Sequence, residues 1–409
     1  MLVVCAGGQG GQTTQDLAAP PDTQLLLSIV RRGAQQLARR GRCEDTQDEA
    51  AIRELEVAHR KMAPGDRGRA TRRLLELCGR HLASPPLARR WEVRPCPGPA
   101  PGPGLRVLQW NVLSQSLATS IDSFVNLAPG SLDWAQRRWA IVREIARHAP
   151  DVVCLQVTCP RHTASQWQCV TLRHNALQCV TLQEVDHYRL LATQLASVGY
   201  RGTFVPKPDS PCLYVEGNNG PDGCALFWRE DRLSLASLHS TVLQVWGVPS
   251  NQVAVAAVLR PRTGGAVCVA TTHLKARPGS LNMMMRAEQG RDLVRWLREE
   301  VPRPPATPLV LTGDLNTAGG EAEQVLEIVT RGLGLVSCYD TAATPFTSCK
   351  RRGPGRREAA VLDYILVSGS SLATAATLLP PREEELGPHL LPSPQLPSDH
   401  LSLVADLRM

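Results

Sequence analysis

The stretch Pro308–Asn316 (PLVLTGDLN) contains the pattern that decides the fold of this chain. Its apolar run predicts a buried strand, and Asp314 and Asn316 follow where that strand ends. In α/β sheets, functional groups gather beyond the carboxyl ends of the strands. The stretch therefore predicts a strand that delivers a carboxylate and an amide to a functional site.

Five other segments combine an apolar run with a polar group suited to metal or phosphate chemistry. They are Leu105–Asn111 (LRVLQWN), Cys179–Glu184 (CVTLQE), Ala266–His273 (AVCVATTH), Val361–Tyr364 (VLDY), and Pro397–His400 (PSDH) before the apolar run Leu401–Leu407. In the first four of these the polar group is expected at the end of the strand. One such element is common, but six in this order are hard to explain by chance. The ordered set QWN…QEVDH…THLK…GDLN…LDYI…SDH resembles the exonuclease–endonuclease–phosphatase family of Mg²⁺-dependent phosphoesterases.

This resemblance implies an α/β fold, a DNase I-like four-layer sandwich of two packed β-sheets flanked by helices. It also implies Mg²⁺ as cofactor, with Glu184 as metal ligand and Asn111 beside the metal and in contact with phosphate. Glu184 follows an apolar run, and Mg²⁺ prefers such oxygen ligands. The alternative for Glu184 is an exposed residue at a strand end, and for Asn111 a turn residue after Trp110.

Asp314 and Asn316 are two residues apart, so on a strand end they project towards the same face. That arrangement suits a general base for water and an amide donor to phosphoryl oxygens. The alternative is an Asx turn that closes the strand. The resemblance makes His400 the group that contacts the scissile phosphate, oriented by acidic neighbours, and it pairs His273 with Asp363 on adjacent strands. The implied catalytic set is Asn111, His273, Asp314, Asn316, Asp363, Asp399 and His400.

Three longer stretches resemble one vertebrate branch of the family, and this likeness covers roughly residues 65–409. They are Phe204–Phe227 (FVPKPDSPCLYVEGNNGPDGCALF), Thr272–Arg277 (THLKAR) and Leu396–Leu403 (LPSDHLSL). The likeness implies a phosphatase that removes the 2′-phosphate of NADP⁺ and NADPH, giving NAD⁺ and NADH. The residues implied to bind this substrate are Lys207, Lys275, Arg277, Arg352, Asn219 and Asp222.

The basic residues give independent support for an anionic substrate. The chain carries 41 Arg but only 4 Lys, and its formal net charge is +7. Three of the four lysines, Lys207, Lys275 and Lys350, fall inside the motif-bearing segments. Because a lysine is a compact point charge and an arginine a larger planar fork, a tight phosphate site can distinguish them.

The chain divides into three predicted parts. Residues 1–64 are expected to form a loosely ordered extension, residues 65–104 a short docking helix over Asp66–His81 with a Pro/Gly linker, and residues 105–409 the catalytic domain. Residues 157–183 are predicted to be a foreign insert, since they repeat Gln-Cys-Val-Thr-Leu and their removal restores the family pattern DVVCLQ-EVDHY. A true loop expansion is the alternative.

Composition limits the remaining choices. No apolar run approaches the ~20 residues of a membrane span, so we expect a soluble protein. We also expect a monomer. Thirteen cysteines without metal-binding spacing indicate a reducing compartment. We expect a cytoplasmic protein. The basic, partly amphipathic segment Thr23–Arg42 leaves mitochondrial targeting as an alternative, which Asp16, Asp22 and the absence of an early Arg disfavour.

Two other functions compete with the phosphatase. A poly(A)-specific 3′-exoribonuclease would present an adenosine and a phosphate to the same metal, although no leucine-rich repeat or RNA-recognition motif is present to hold RNA. A non-catalytic adaptor disabled by the insert is the second alternative. The intact motif residues argue against it.

Overall fold

A computed structural model of the protein describes residues 67–95, 104–120, 123–158, 187–215, 220–304, 306–317, 323–340, 343–353 and 356–409. The helices are α1 (Arg67–His81), α2 (Gln115–Ser120), α3 (Trp134–His148), α4 (His187–Ala196), α5 (Ser280–Glu299), α6 (Val325–Leu333) and α7 (Glu383–Leu386), with a 3₁₀ turn at Pro211–Tyr214. None of these helices combines the length and apolar character needed to cross a membrane. The seven cysteines within the described ranges are buried and carry free thiols.

Fifteen strands are present in the described ranges. They are β1 (Trp91–Val93), β2 (Gly104–Asn111), β3 (Val152–Thr158), β4 (Tyr200–Pro206), β5 (Asp222–Arg229), β6 (Leu233–Val245), β7 (Val248–Pro261), β8 (Val267–His273), β9 (Leu309–Asp314), β10 (Leu335–Ser337), β11 (Ser348–Arg351), β12 (Arg357–Ala360), β13 (Asp363–Ser368), β14 (Ala373–Leu378) and β15 (Leu403–Arg408).

Thirteen of these strands build two mixed sheets. The first sheet has the order β1-β14-β15-β2-β3-β5-β4, and the second has the order β10-β13-β9-β8-β7-β6. Parallel pairs, β2 with β3 and β8 with β9, lie at the middle of each sheet, and the other pairs are antiparallel. The remaining strands, β11 and β12, form a separate hairpin.

The inner faces of the two sheets pack together in one apolar core. Val107, Cys154 and Leu226 of the first sheet share this core with Val255 and Val310 of the second. The outer face of the second sheet packs against helices α5 and α6. Because β9 is covered on both faces, all six of its residues are buried, which explains its continuous apolar run.

Helices also cover the first sheet. Helix α4 contacts β3 and β4, and it touches α3, which packs against α1. Helix α1 buries Leu74 and Cys78, the positions at helical spacing in the predicted docking segment. Two mixed sheets flanked by helices confirm the predicted fold class.

The structure corrects the predicted direction of one motif strand. Asp363 begins β13 and does not end a strand. Since β13 runs antiparallel to β9, its first residue lies beside Asp314, the last residue of β9. A strand start can therefore deliver a side chain to the same edge as a strand end.

The predicted insert is described only at its beginning. Strand β3 continues beyond Gln156 through Val157 and Thr158, which pair with Gly223 and Asp222. Residues 159–186, which include Glu184, and residues 1–66 and 96–103 lie outside the described residues. The domain boundaries remain predictions.

Candidate active site

Three neighbouring strands bring the predicted residues to one edge of the second sheet. Asp314 at the end of β9 pairs with Asp363 on one side and with His273 on the other. Asn111, at the end of β2 in the first sheet, donates from Nδ2 to Asp314 Oδ2 at 2.9 Å. The two sheets are therefore joined at this point by an amide and a carboxylate.

Asp314 is buried, and the absence of a side chain on Gly313 allows β9 to lie close enough to β8 for Asp314 to take this position. A Cβ on Gly313 would lie 2.4 Å from the carbonyl oxygen of Thr272, so a side chain there would push β8 and β9 apart. Burial raises the pKa of Asp314 to about 6, and the nearby Asp363 carboxylate acts in the same direction. Both an ionised and a protonated carboxyl are therefore accessible near neutral pH.

Asn316 follows in a turn that Asp314 closes. Asp314 Oδ1 accepts the backbone N–H of Asn316 at 3.0 Å, which is the Asx turn considered as the alternative for this motif. Asn316 has a left-handed φ of 53°, and its Nδ2 donates to the carbonyl of Leu274 at 3.1 Å. Asn is among the residues that tolerate this conformation. The Asx turn and the candidate site therefore share the same two residues, Asp314 and Asn316.

His400 is buried among three carboxylates. Its Nδ1 lies 2.8 Å from Asp363 Oδ2, and its Nε2 lies 3.8 Å from an oxygen of Asp314 and 3.8 Å from one of Asp399. Burial alone would lower the pKa of His400, but the carboxylates, with Asp363 the strongest, raise it to about 9. His400 therefore carries both protons at neutral pH and donates from Nδ1 to Asp363. His400 therefore lies among the acidic neighbours that the family resemblance implies for it.

The predicted pair of His273 with Asp363 is wrong. Strand β9 lies between β8 and β13, so the nearest carboxylate to His273 is that of Asp314, with Nε2 at 3.5 Å from Oδ2. Burial lowers the pKa of His273 well below its ordinary value, and the charge of Lys207 lowers it further. His273 is therefore a neutral imidazole beside the Asp314 carboxyl.

Asp399 is held by a lysine. Burial alone would raise the pKa of Asp399, but the ammonium of Lys350 and the charge of His400 lower it strongly. Lys350 Nζ donates to Asp399 Oδ2, and Arg352 lies 3.9 Å from the same oxygen. Asp399 therefore stays ionised next to His400.

The predicted substrate-binding residues differ in burial: Lys207 and Asp222 are buried, whereas Lys275, Arg277 and Arg352 are at least partly exposed. Lys207 is buried and paired with Asp222, whose other oxygen accepts from Ser210. Lys275 is half-buried and Arg277 is exposed, just beyond the end of β8. Arg352 is half-buried, with its guanidinium 5.5 Å from the ring centre of Phe124. Asn219 and Glu184 lie outside the described residues.

Comparison with known proteins places the residues of this site within one protein family. A family model described as Endonuclease/Exonuclease/phosphatase family matches residues 108–400, from β2 to His400. The chain belongs to this family. Its membership accounts for the position of the motifs, because the matched range contains every catalytic residue implied by the sequence.

Within the family, the predicted resemblance to one branch is confirmed as a resemblance to nocturnins, and this branch is not confined to vertebrates. The chain is 40% identical to Nocturnin of Drosophila melanogaster over 77% of its length and 37% identical to Nocturnin of Homo sapiens over 75%. It spans 48% of the fly protein and 66% of the human one. The human Nocturnin catalytic domain, solved with a bound sulfate anion, superimposes with a TM-score of 0.57 at 32% identity, covering 78% of this chain and 97% of that domain.

One group of side chains in the described ranges fits a divalent cation. Asp314 and Asp363 each offer a carboxylate oxygen, and these oxygens lie within 4.8 Å of one another and of a ring nitrogen of His400, which as a protonated imidazole does not itself ligate a cation. Asp363 Oδ1 is buried and accepts no hydrogen bond from the described residues, so one carboxylate oxygen is left for a ligand. Burial and, to a lesser extent, the neighbouring Asp363 carboxylate raise the pKa of Asp314, and a cation next to these two carboxylates would relieve their repulsion.

Sequence reasoning missed two buried polar residues of α5. Arg286 donates from Nη1 to the carbonyls of Lys275 and Arg277, each at 3.0 Å, and pairs with Glu323. Gln289 accepts the N–H of Lys275 at 3.0 Å. They fix the loop after β8. The available signal was weak, namely two polar residues on the face of a helix that is otherwise apolar.

Proposed function

We propose that the protein is a Mg²⁺-dependent phosphoesterase that removes the 2′-phosphate of NADP⁺ and NADPH, giving NAD⁺ and NADH. The observation that carries the proposal is the contact set of half-buried Asn111 with buried Asp314, Asp363 and His400, where the two sheets meet. It combines a carboxyl of raised pKa with a charged imidazole. Similarity to nocturnins supports the substrate.

The reaction adds one water molecule: its oxygen forms a new bond to phosphorus, the bond between phosphorus and the ribose 2′ oxygen breaks, and the leaving 2′ oxygen takes up one proton from solvent in exchange for the proton that is removed from the water. Asp314, ionised above about pH 6, accepts a proton from the attacking water. His400, protonated below about pH 9, stabilises the negative charge that develops on the phosphoryl oxygens. Asn111, whose amide already donates to Asp314, orients that carboxylate.

The metal would be held by carboxylate oxygens of this cluster, with Asn111 beside it and Glu184 as a further ligand. A bound Mg²⁺ supplies positive charge next to the phosphate oxygens. Oxygen donors are the ligands that this hard cation prefers.

The phosphates that join the two nucleosides of NADP(H) would bind to basic side chains around the carboxylate cluster. Lys275 and Arg277 lie in the loop after β8. Arg352, the residue that follows β11, lies 3.9 Å from Asp399. A dinucleotide with an extra phosphate carries more negative charge than NAD⁺, so cations on both sides of the cluster favour it. The sulfate in the human Nocturnin domain supports an anion site of this kind.

The test is to incubate the purified full chain and Mg²⁺ with NADPH and, separately, with oligo(A). We expect phosphate release and NADH from the first reaction and no shortening in the second. His400→Gln should abolish release, while His239→Gln, on the edge strand β6 where His239 contacts Ser237, should leave it unchanged. Shortening of oligo(A) without phosphate release from NADPH would overturn the proposal in favour of the exoribonuclease.

A further inference from the structure

Thr347 lies buried immediately before β11, and its hydroxyl makes three hydrogen bonds, two with Asp363 and one with Leu362. Its Oγ1 donates to Asp363 Oδ2 at 2.7 Å. The same oxygen accepts the backbone N–H of Leu362 at 2.9 Å and that of Asp363 at 3.1 Å. Thr347 thus holds both the backbone and the carboxylate of the residue that pairs with His400.

The hydroxyl has one proton and two acceptor positions. Because the two amides occupy the acceptor positions, the proton is directed at Asp363 Oδ2. That oxygen is also the one that accepts from His400 Nδ1, at 2.8 Å. A carboxylate oxygen can accept both bonds, and the second donor fixes the rotation of the carboxylate about its Cβ–Cγ bond.

The backbone of Thr347 contacts the segment that contains His400. Its carbonyl accepts the N–H of Leu401 at 2.7 Å, and the next residue, Ser348, donates from Oγ to the carbonyl of Asp399 at 2.7 Å. Ser348 and His400 also form an antiparallel bridge. One position of the chain therefore fixes Asp363 through its side chain and the His400 segment through its backbone.

We propose that Thr347 is a positioning residue for the His400–Asp363 pair. Its hydroxyl sets the orientation of the Asp363 carboxylate and, through it, the ring of His400. The rate effect expected below rests on the proposed phosphoesterase function, whereas the position of the His400 N–H proton does not.

The experiment compares Thr347→Val, which keeps the shape but removes the hydroxyl, with Thr347→Ser, which keeps the hydroxyl. Loss of a partner that orients a site residue typically costs 10–100-fold in activity, so we expect kcat of Thr347→Val to fall by about that factor with KM within about 2-fold. Thr347→Ser should retain kcat within about 3-fold. Thr347→Ala, which leaves space for water at the two amides, is the second variant if Thr347→Val does not fold.

Thr272→Val is the matched control. Thr272 is also a buried threonine next to a site histidine, but within the described residues its hydroxyl donates to the carbonyl of Val253, at 2.9 Å, and not to a group of the candidate site. It should lose stability comparable to Thr347→Val while keeping kcat. Equal kcat losses in the two variants would overturn the proposal, since they would reflect a general cost of removing a buried hydroxyl.

A proton resonance provides a readout without substrate. In protein labelled with ¹⁵N-histidine, the Nδ1–H of His400 should give a low-field signal, assigned by its loss in His400→Gln. We expect the signal to persist in Thr347→Ser and to shift or vanish by exchange in Thr347→Val. An unchanged signal in Thr347→Val overturns the inference. If the wild type does not hydrolyse NADPH but the signal responds as expected, the proposed substrate fails and the role of Thr347 stands.

Discussion

Asn111 Nδ2 lies 2.9 Å from Asp314 Oδ2, and this bond joins the ends of β2 and β9 across the two sheets. Because the bond lowers the pKa of Asp314 against the effect of burial, its removal should raise that pKa above about 6. We expect Asn111→Leu to raise the pKa of Asp314 in the metal-free protein and, at saturating metal, to lower kcat by about 10- to 100-fold, because the general base is no longer oriented by the amide. The pKa is measured by an NMR titration of the ¹³C-labelled carboxyl group in EDTA, and kcat is measured separately with metal.

The control for this variant is Gln109→Leu. Gln109 carries a buried amide two residues earlier on the same strand, and it bonds to Gln156 at 2.8 Å. A similar rise of the Asp314 pKa in Gln109→Leu would show that Asn111 acts through packing and not through its hydrogen bond to Asp314.

His400 should make stability depend on pH. Its pKa is about 9 in the folded protein against an ordinary value of 6.5, so the folded state holds an additional proton between these values. The stabilisation is complete below pH 6.5 and is lost as the pH rises through 9, at most about 3 kcal/mol. We expect the free energy of unfolding, measured by urea titration in EDTA, to fall over this range, and His400→Gln to flatten the curve. A steeper slope in the variant would contradict the assignment.

The sequence predicted the elements of the site but not all of their geometry. Strand ends at Asn111, His273 and Asp314 followed from apolar runs with a polar residue after them. Their meeting at one edge was an expectation from α/β sheets in general. The family resemblance supplied the catalytic roles, since no periodicity distinguishes a site carboxylate from one that closes a turn.

Two features could not be predicted because they depend on strand order. Asp363 lies beside Asp314 because β13 and β9 are antiparallel neighbours, and His400 reaches Asp363 from the segment that bridges to Ser348, whereas His273 is one strand further away on β8. Thr347 carries no pattern of its own, because its role arises from three hydrogen bonds made after folding. Register and strand order are tertiary properties that the local sequence does not contain.

The buried pair of Lys207 and Asp222 predicts a non-additive effect on stability. Each side chain is 8% exposed, and Ser210 donates to the second carboxylate oxygen. Removing one partner leaves an unpaired buried charge, which costs about 3–5 kcal/mol, whereas an apolar pair of similar volume is often tolerated. Lys207→Met should therefore be less stable than the double variant Lys207→Met with Asp222→Leu in thermal unfolding. Additive losses would contradict the assigned pair.

Lys207→Arg tests whether the site requires a lysine. The variant keeps the charge but places a larger head group in a buried position beside Asp222 and His273. We expect KM for NADPH to rise nearly as much as in Lys207→Ala. If Lys207→Arg has full activity, the scarcity of lysine has no bearing on the substrate.

Lys275 and Arg277 should contribute to substrate affinity more than to stability, since neither side chain is buried. A charge-assisted hydrogen bond to phosphate contributes roughly 1.5–3 kcal/mol, which corresponds to about a 10- to 150-fold rise in KM for each alanine variant. Arg298→Ala on α5 is the control for charge removal, because Arg298 is exposed in the last turn of that helix. Unchanged KM in both loop variants would remove this loop from the substrate site.

Deleting residues 157–183 should leave activity equal or higher and raise the melting temperature. Strand β3 pairs Gln156 with Asn111, and the next position pairs with Gly223. The deletion joins Gln156 to Glu184, so Glu184 takes this position, one residue beyond the partner of Asn111 at the site edge. A shorter connection also costs less conformational entropy to order.

Isothermal titration with Mg²⁺ should show a tighter or equal affinity in the deletion variant. Glu184→Ala in that background should keep the higher melting temperature but lose the metal affinity and the activity, which separates the role of the carboxylate from that of the shorter chain. Failure of the deletion variant to fold would show that residues 157–183 are a structural element of this protein.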